Sequence, residues 1–176
     1  QGQYVEINRL PDRSLELALK DVTSGGLVDI YSISHDGHRL SPLLKYPYDP
    51  RERPWYRAAL DNQAVRWTHV YDFNDPAPTF GISFVHPYIN RDKEFEGVLG
   101  ADFTLKALET FITQEPPSSS SIAFVMDPTG KILASSEGTS SFKKSRGLSA
   151  TALSERDKAR NIVVSTAANH ILEQVD

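Results

Sequence analysis

Hydrophobic and polar residues alternate along the first part of the chain. Val5 and Ile7, then Leu15, Leu17 and Leu19, then Val28, Ile30 and Ile33 recur close to every second position, the spacing of strands with one face buried. Pro11-Asp12, Ser24-Gly25-Gly26 and His35-Asp36-Gly37 separate the runs, and these residue types favour tight turns. Short turns join antiparallel neighbours, so the pattern predicts an antiparallel sheet.

The period then changes. Pro54 suits the first turn of a helix, where its missing N–H costs nothing, and the pattern predicts a helix to about Asn62 through Trp55, Ala58, Ala59 and Leu60. Strands are predicted over Val65 to Phe73, Phe80 to Ile89 and Gly97 to Phe103, with Asn90-Arg91-Asp92-Lys93 as a polar turn between the last two. Thr104 can cap a short helix from Leu105 to Thr113, with Leu105, Leu108 and Ile112 on one face.

Composition shifts at Glu115-Pro116-Pro117-Ser118-Ser119-Ser120-Ser121, where prolines end the helix and serines offer nothing to bury. A module over 1–114, a linker over 115–121 and a second module over 122–176 are expected. In the second, Ile122 to Met126 and Lys131 to Ala134 flank Asp127-Pro128-Thr129-Gly130, a hairpin signal. A helix is predicted from Ser154 to Val175, with Ile162, Ser165, Ala168, Asn169 and Leu172 along one side. One hairpin and one helix are too little to close a core, so this module reads as partial.

The 176 residues are 39% hydrophobic and 24% charged with a net charge of −4, ordinary for a soluble domain. No basic stripe stands out to neutralise a polyanion, which argues against nucleic acid as a partner. The absence of cysteine removes disulfides, thiol catalysis and thiolate metal sites. No apolar run approaches the roughly 18 residues of a membrane span. The chain starts at Gln1 and not at methionine, so it is expected to be a fragment with flanking segments absent.

Searches for chemistry yield little. The five histidines show no HxH or HExxH spacing, so neither a metal nor another cofactor is predicted. Ser83, His69 and Asp72 assemble a triad on paper, but Gly81-Ile82-Ser83-Phe84-Val85 lacks the GxSxG elbow, and Ser83 reads as a strand residue. Gly97-Val98-Leu99-Gly100-Ala101-Asp102 is a strand and not a phosphate cradle. Asp72, Asp75 and Asp102 leave a secreted hydrolase open as an alternative, and the helix near Ile162 to Leu172 leaves a ligand-free dimerisation module open.

One stretch is more specific. Tyr46 to Leu60, YPYDPRERPWYRAAL, crowds three prolines, three arginines and four aromatic rings together. Arg53 offers a planar fork for a carboxylate, and Trp55 and Tyr56 offer rigid walls with a phenol hydrogen bond. The plainer alternative places Trp55 in a core and pairs Arg53 with a surface acid such as Glu52.

Asp49-Pro50-Arg51-Glu52-Arg53-Pro54-Trp55-Tyr56-Arg57-Ala58-Ala59, then Trp67 to Tyr71, Gly81-Ile82-Ser83, and Gly97 to Leu105 resemble, in order and spacing, the double Cache sensor domains of bacterial transmembrane receptors. Asp127 to Ser136 resembles the opening hairpin of their membrane-proximal module. The resemblance implies an α+β, PAS-like fold: an antiparallel sheet with flanking helices in a membrane-distal module, followed by a partial proximal one. It also implies a non-catalytic, extracytoplasmic (periplasmic) part of an inner-membrane receptor, anchored by spans outside this chain, with a homodimer open. Such a domain binds a small metabolite, such as an amino acid, organic acid or amine, and signals to a kinase, cyclase or chemotaxis output.

Carried over by position, the family pattern implies that Arg53 and Trp55 meet a ligand carboxylate, Tyr56 and Tyr71 line the pocket, and Asp102 meets an ammonium. It expects an aspartate two positions after Tyr71, where Phe73 stands. Strand alternation puts Tyr71 and Phe73 on one face and Asp72 on the other.

Overall fold

The computed structural model describes residues 2–73, 79–114, 118, 121–127, 130, 132–136, 166–167, 170–171 and 173. Strands β1 (Tyr4–Arg9), β2 (Leu15–Lys20), β3 (Leu27–Ile33) and β4 (Arg39–Pro47) form an antiparallel sheet in chain order. The predicted turns join them. Asp12 accepts the Ser14 N–H at 2.9 Å in the first turn, and Gly37 takes φ 86° in the third, a conformation glycine adopts at no steric cost.

Strand β4 is an element that the hydrophobic pattern did not pick out. Its register against β3 shifts around Tyr31 and Pro42, and it lies at the sheet edge, where a proline without an N–H is tolerated. The chain then makes a 3-10 turn over Pro50–Glu52 and enters α1 (Pro54–Asn62) with Pro54 in the first turn. The helix ends at Gln63, whose left-handed backbone returns its N–H to the Ala59 carbonyl at 2.9 Å.

The strand expected over Val65 to Phe73 is instead two short ones, β5 (Arg66–Trp67) and β6 (Tyr71–Asp72). Thr68 explains the break. Its N–H donates to the Ser83 carbonyl at 2.9 Å, but the return bond from the Ser83 N–H goes to the Thr68 hydroxyl, not to a backbone carbonyl. Strands β7 (Phe80–Ile89) and β8 (Phe95–Thr104) follow, and β7 pairs with β5, β6 and β8.

Thr104 caps α2 (Leu105–Gln114), accepting the Ala107 N–H at 3.0 Å. α2 packs against β10 (Ile132–Ser135), which pairs antiparallel with β9 (Phe124–Met126) in the predicted hairpin. Of the helix expected over 154–175, Thr166, Ala167, His170 and Ile171 are helical, and the remainder, with Ile162 and Leu172, lies outside the described residues apart from Glu173.

Antiparallel sheets with helices make this the expected α+β class. The chain divides into two compact units, Gln1–Arg66 with Val85–Leu99, and Trp67–Phe84 with Gly100–Asp176. Ala18, Val28, Ala59 and Val85 are buried in the first unit, and Ile82, Ile112, Leu133 and Ala134 in the second.

Candidate ligand-binding site

In the first unit the Tyr46 to Leu60 stretch is held by polar bonds at its base and rings at its top. Lys20, a buried residue at the end of β2, donates from Nζ to the Tyr48 carbonyl at 2.5 Å. Asp49 accepts the Arg51 N–H at 3.0 Å and takes the Arg51 guanidinium in a two-oxygen clasp, Nε to Oδ1 at 2.9 Å and Nη2 to Oδ2 at 2.6 Å. Arg51 therefore makes an ion pair with Asp49 in this stretch. Arg53 sits at the N-cap of α1, half-buried, with its Nε shielded from solvent.

The rings assemble around Trp55. Its Nε1 donates to the Tyr48 hydroxyl at 3.3 Å, and its ring lies 6.1 Å from Tyr4 and 5.6 Å from Tyr56, centroid to centroid. Tyr4 and Tyr48 are 4.9 Å apart, and Tyr56 meets Phe95 edge-on at 5.8 Å. Burial pushes the Tyr4 phenol above its ordinary range, and the neighbouring Glu6 carboxylate, 2.7 Å from its hydroxyl, adds to the rise. Trp55 is half-buried, neither a closed core residue nor a free surface one.

The Asp49–Arg51 pair gives a pH prediction. The Arg51 hydrogen bonds hold the Asp49 carboxyl down to about 2, below its ordinary 3.8. A depressed folded value contributes stability above the unfolded value, and that contribution is lost as pH falls through the window from about 4 to about 2. The native melting midpoint should therefore fall more steeply across this window than that of Asp49→Asn. Parallel slopes in thermal melts would show that the pair contributes nothing.

In the second unit Tyr71, Phe73, Ser83 and Asp102 come together. The Tyr71 and Phe73 rings are 5.0 Å apart, on the shared face that strand alternation requires, and Asp72 is exposed. The Tyr71 hydroxyl lies 2.5 Å from Ser83 Oγ, and Ser83 Oγ donates in turn to Asp102 Oδ1. Ser83 is fully buried. Phe73 lies against Gly81, so closely that a Cβ at Gly81 would overlap Phe73 Cζ and the Phe103 carbonyl oxygen.

Sequence reasoning placed Ser83 in a strand but missed its bonds to the site. The signal was present: Gly81 and Ser83, two small residues at strand spacing, share a face. The paper triad of Ser83 with His69 and Asp72 is not what these bonds form: they join Ser83 to Tyr71, Asp102 and Thr68. Asp75, one of the hydrolase carboxylates, lies outside the described residues. Among the described residues, no group of three His, Cys, Asp or Glu side chains could hold a metal, and no helix is long and apolar enough to cross a membrane.

The family described as methyl-accepting chemotaxis protein-like, first PDC sensor domain, matches residues 14–110. The chain belongs to this Cache/PDC-type sensor family. Arg53, Trp55, Tyr56, Tyr71, Phe73, Ser83 and Asp102 all fall inside the matched span. This PDC domain is similar to a segment of adenylate cyclase 1 of Rhizobium meliloti, 32% identical over 92 residues that cover 52% of this chain and 13% of the relative. It is similar to the chemotaxis protein McpG of Pseudomonas putida, 30% identical over 55% of this chain and 15% of the relative. McpC of Bacillus subtilis is 26% identical over 60% of this chain and 17% of the relative.

The PDC chain thus spans well under a fifth of the length of these curated relatives. Among solved structures, the ligand-binding domain of the Pseudomonas aeruginosa amino acid chemoreceptor PctB, in complex with L-Arg, is 27% identical over 56% of this chain and 43% of its own, with a TM-score of 0.41. The extracellular domain of the putative histidine kinase mmHK1S-Z3 is 19% identical over 61% of this chain and 36% of its own, with a TM-score of 0.41. As a PDC sensor domain of the chemoreceptor type, the segment is a recognition module for small-molecule sensing, and it is non-catalytic on its own.

Proposed function

We propose that this PDC domain is the extracytoplasmic ligand-binding part of a bacterial transmembrane receptor, with Arg53, Trp55, Tyr56, Tyr71, Phe73 and Asp102 contacting a small metabolite. The observation that carries the reading is the family match over residues 14–110, which contains every one of these positions. The side chains suit the role. Arg53 supplies a carboxylate fork at a helix start, Trp55 and Tyr56 supply flat walls, and Asp102 supplies a charge for an amine. Residues 1–114 would form the membrane-distal module and 122–176 part of a proximal one, with the output, a kinase, cyclase or chemotaxis domain, beyond this chain.

A thermal-shift screen of amino acids, primary amines and small carboxylates, followed by calorimetry of each hit, tests this reading. A sensor melts higher with rising solute concentration. A midpoint that moves with protein concentration alone would support a dimerisation module, and disappearance of the added compound would support a hydrolase.

Phe73 shapes the ligand range. It puts an apolar ring where the family pattern has an acid, and an ammonium with too few acceptors is costly to hold in a partly dry site. Phe73→Asp is therefore expected to tighten amino acid binding by about ten-fold. Unchanged affinity in calorimetry would place the amine away from this face.

A further inference from the structure

We infer that Tyr4 is a positioning residue of the ligand site: acting through Tyr48, it fixes the indole of Trp55 so that a ligand meets the ring and not the N–H. The inference rests on the sensing reading above. Tyr4 stands on β1, outside the span that the family match covers.

The aromatic cluster of the first unit spends each donor on a neighbour. The Trp55 indole has one N–H and no acceptor, and it donates to the Tyr48 hydroxyl at 3.3 Å. The Tyr4 phenol gives its single proton to Glu6 Oε2 at 2.7 Å. The two phenols are also hydrogen-bonded to each other, and since the Tyr4 proton is already committed, Tyr48 is the donor. The bonds therefore run one way, from Trp55 to Tyr48 to Tyr4 to Glu6. A hydroxyl that donates accepts more strongly in turn, so Tyr4 tightens the hold of Tyr48 on the indole.

Tyr48 can transmit this orientation because its backbone is held as well. Its N–H donates to the Gly26 carbonyl at 3.2 Å, and its carbonyl accepts Lys20 Nζ at 2.5 Å. Lys20 is buried and stands opposite Tyr4 in the β1–β2 register, so the open end of that hairpin holds both the carbonyl and the hydroxyl of Tyr48. The Tyr4 ring also packs 4.9 Å from Tyr48 and 6.1 Å from Trp55, but packing alone needs no hydroxyl.

Tyr4→Phe keeps the ring and deletes the hydroxyl, which separates the two roles. NMR of the isotope-labelled full chain reads the Trp55 indole N–H, identified as the signal lost in Trp55→Phe. Its exchange with solvent is expected to quicken by about two- to ten-fold in Tyr4→Phe, the factor that one net hydrogen bond is worth. Tyr48→Phe, which removes the acceptor itself, should quicken it at least as much. Calorimetry with L-leucine and L-arginine as probes should show affinity falling in Tyr4→Phe by a similar factor of about two to ten.

Unchanged exchange in a folded Tyr4→Phe protein overturns the inference and leaves Tyr4 a packing residue. Unchanged or higher probe affinity in that variant also overturns it, the rise because it would show that the freed N–H serves the ligand. Should Tyr4→Phe fail to melt cooperatively, the native signal decides: an indole N–H that exchanges as fast as that of free tryptophan overturns the inference, and a protected one supports it. If the native domain binds neither probe, the indole signal alone decides, and the sensing reading falls only if the wider screen is silent as well.

Discussion

Arg53→Ala is expected to weaken binding of any carboxylate-bearing ligand about ten- to a hundred-fold. A hydrogen bond to a charged group is worth roughly 1.5 to 3 kcal/mol, and each 1.4 kcal/mol is a factor of ten. Arg53 is suited to supply such a bond because its backbone, not its side chain, serves the helix start. Its N–H donates to the Pro50 carbonyl at 3.1 Å, and its carbonyl accepts the Arg57 N–H at 3.1 Å. The alanine variant keeps both, so α1 should form as before. Calorimetry against the tightest hit of the solute screen, beside a melt without ligand, reads the two effects separately. Unchanged affinity with a lowered midpoint would make the half-buried Arg53 a packing residue only.

Much of this fold was legible because short-range rules governed it. Leu15, Leu17 and Leu19 alternate and do form β2, Pro54 does open α1, and the Thr104 hydroxyl does cap α2. Strand β4 was not legible because Pro42 and the exposed Leu40, Leu43 and Leu44 interrupt the half-buried pattern, and an edge strand tolerates all four. The split between β5 and β6 was hidden for a different reason. It depends on Thr68 and Ser83 bonding across fifteen positions, and no local pattern reports a side chain that substitutes for a ladder carbonyl.

The site divides the same way. The Arg53-Pro54-Trp55-Tyr56 cluster could be read directly, since these residue types are rarely packed together without a use. The partners that orient it could not: Lys20 lies twenty-eight positions before the carbonyl it binds, and Tyr4 reaches Trp55 from β1. In the second unit, Asp102 and Tyr71 carried the family pattern, but the serine that joins them looked like an ordinary buried strand residue. Its bonds depend on three strands that bring Tyr71, Ser83 and Asp102 to one place.

Gly81→Ala should lower stability by about 3 kcal/mol, toward the upper end of what overpacking one carbon costs, and so lower the melting midpoint by roughly 6 to 12 °C. The added Cβ would overlap Phe73 Cζ and the Phe103 carbonyl oxygen, and would lie 2.7 Å from Phe73 Cε2. The two obstacles differ in kind. The Phe73 ring can swing aside at the cost of its packing on Tyr71, whereas the Phe103 oxygen belongs to the β8 backbone and moves only with the strand. A second substitution separates them. Phe73→Ala removes the ring but leaves the carbonyl, so Gly81→Ala should remain destabilising in that background, by less than in the native chain. Full rescue by Phe73→Ala would assign the whole clash to the ring, and an undiminished penalty would assign it to β8. A native-like midpoint in Gly81→Ala alone would show that Phe73 does not rest on Gly81 in solution, and would remove the apolar wall from the Tyr71–Ser83–Asp102 site.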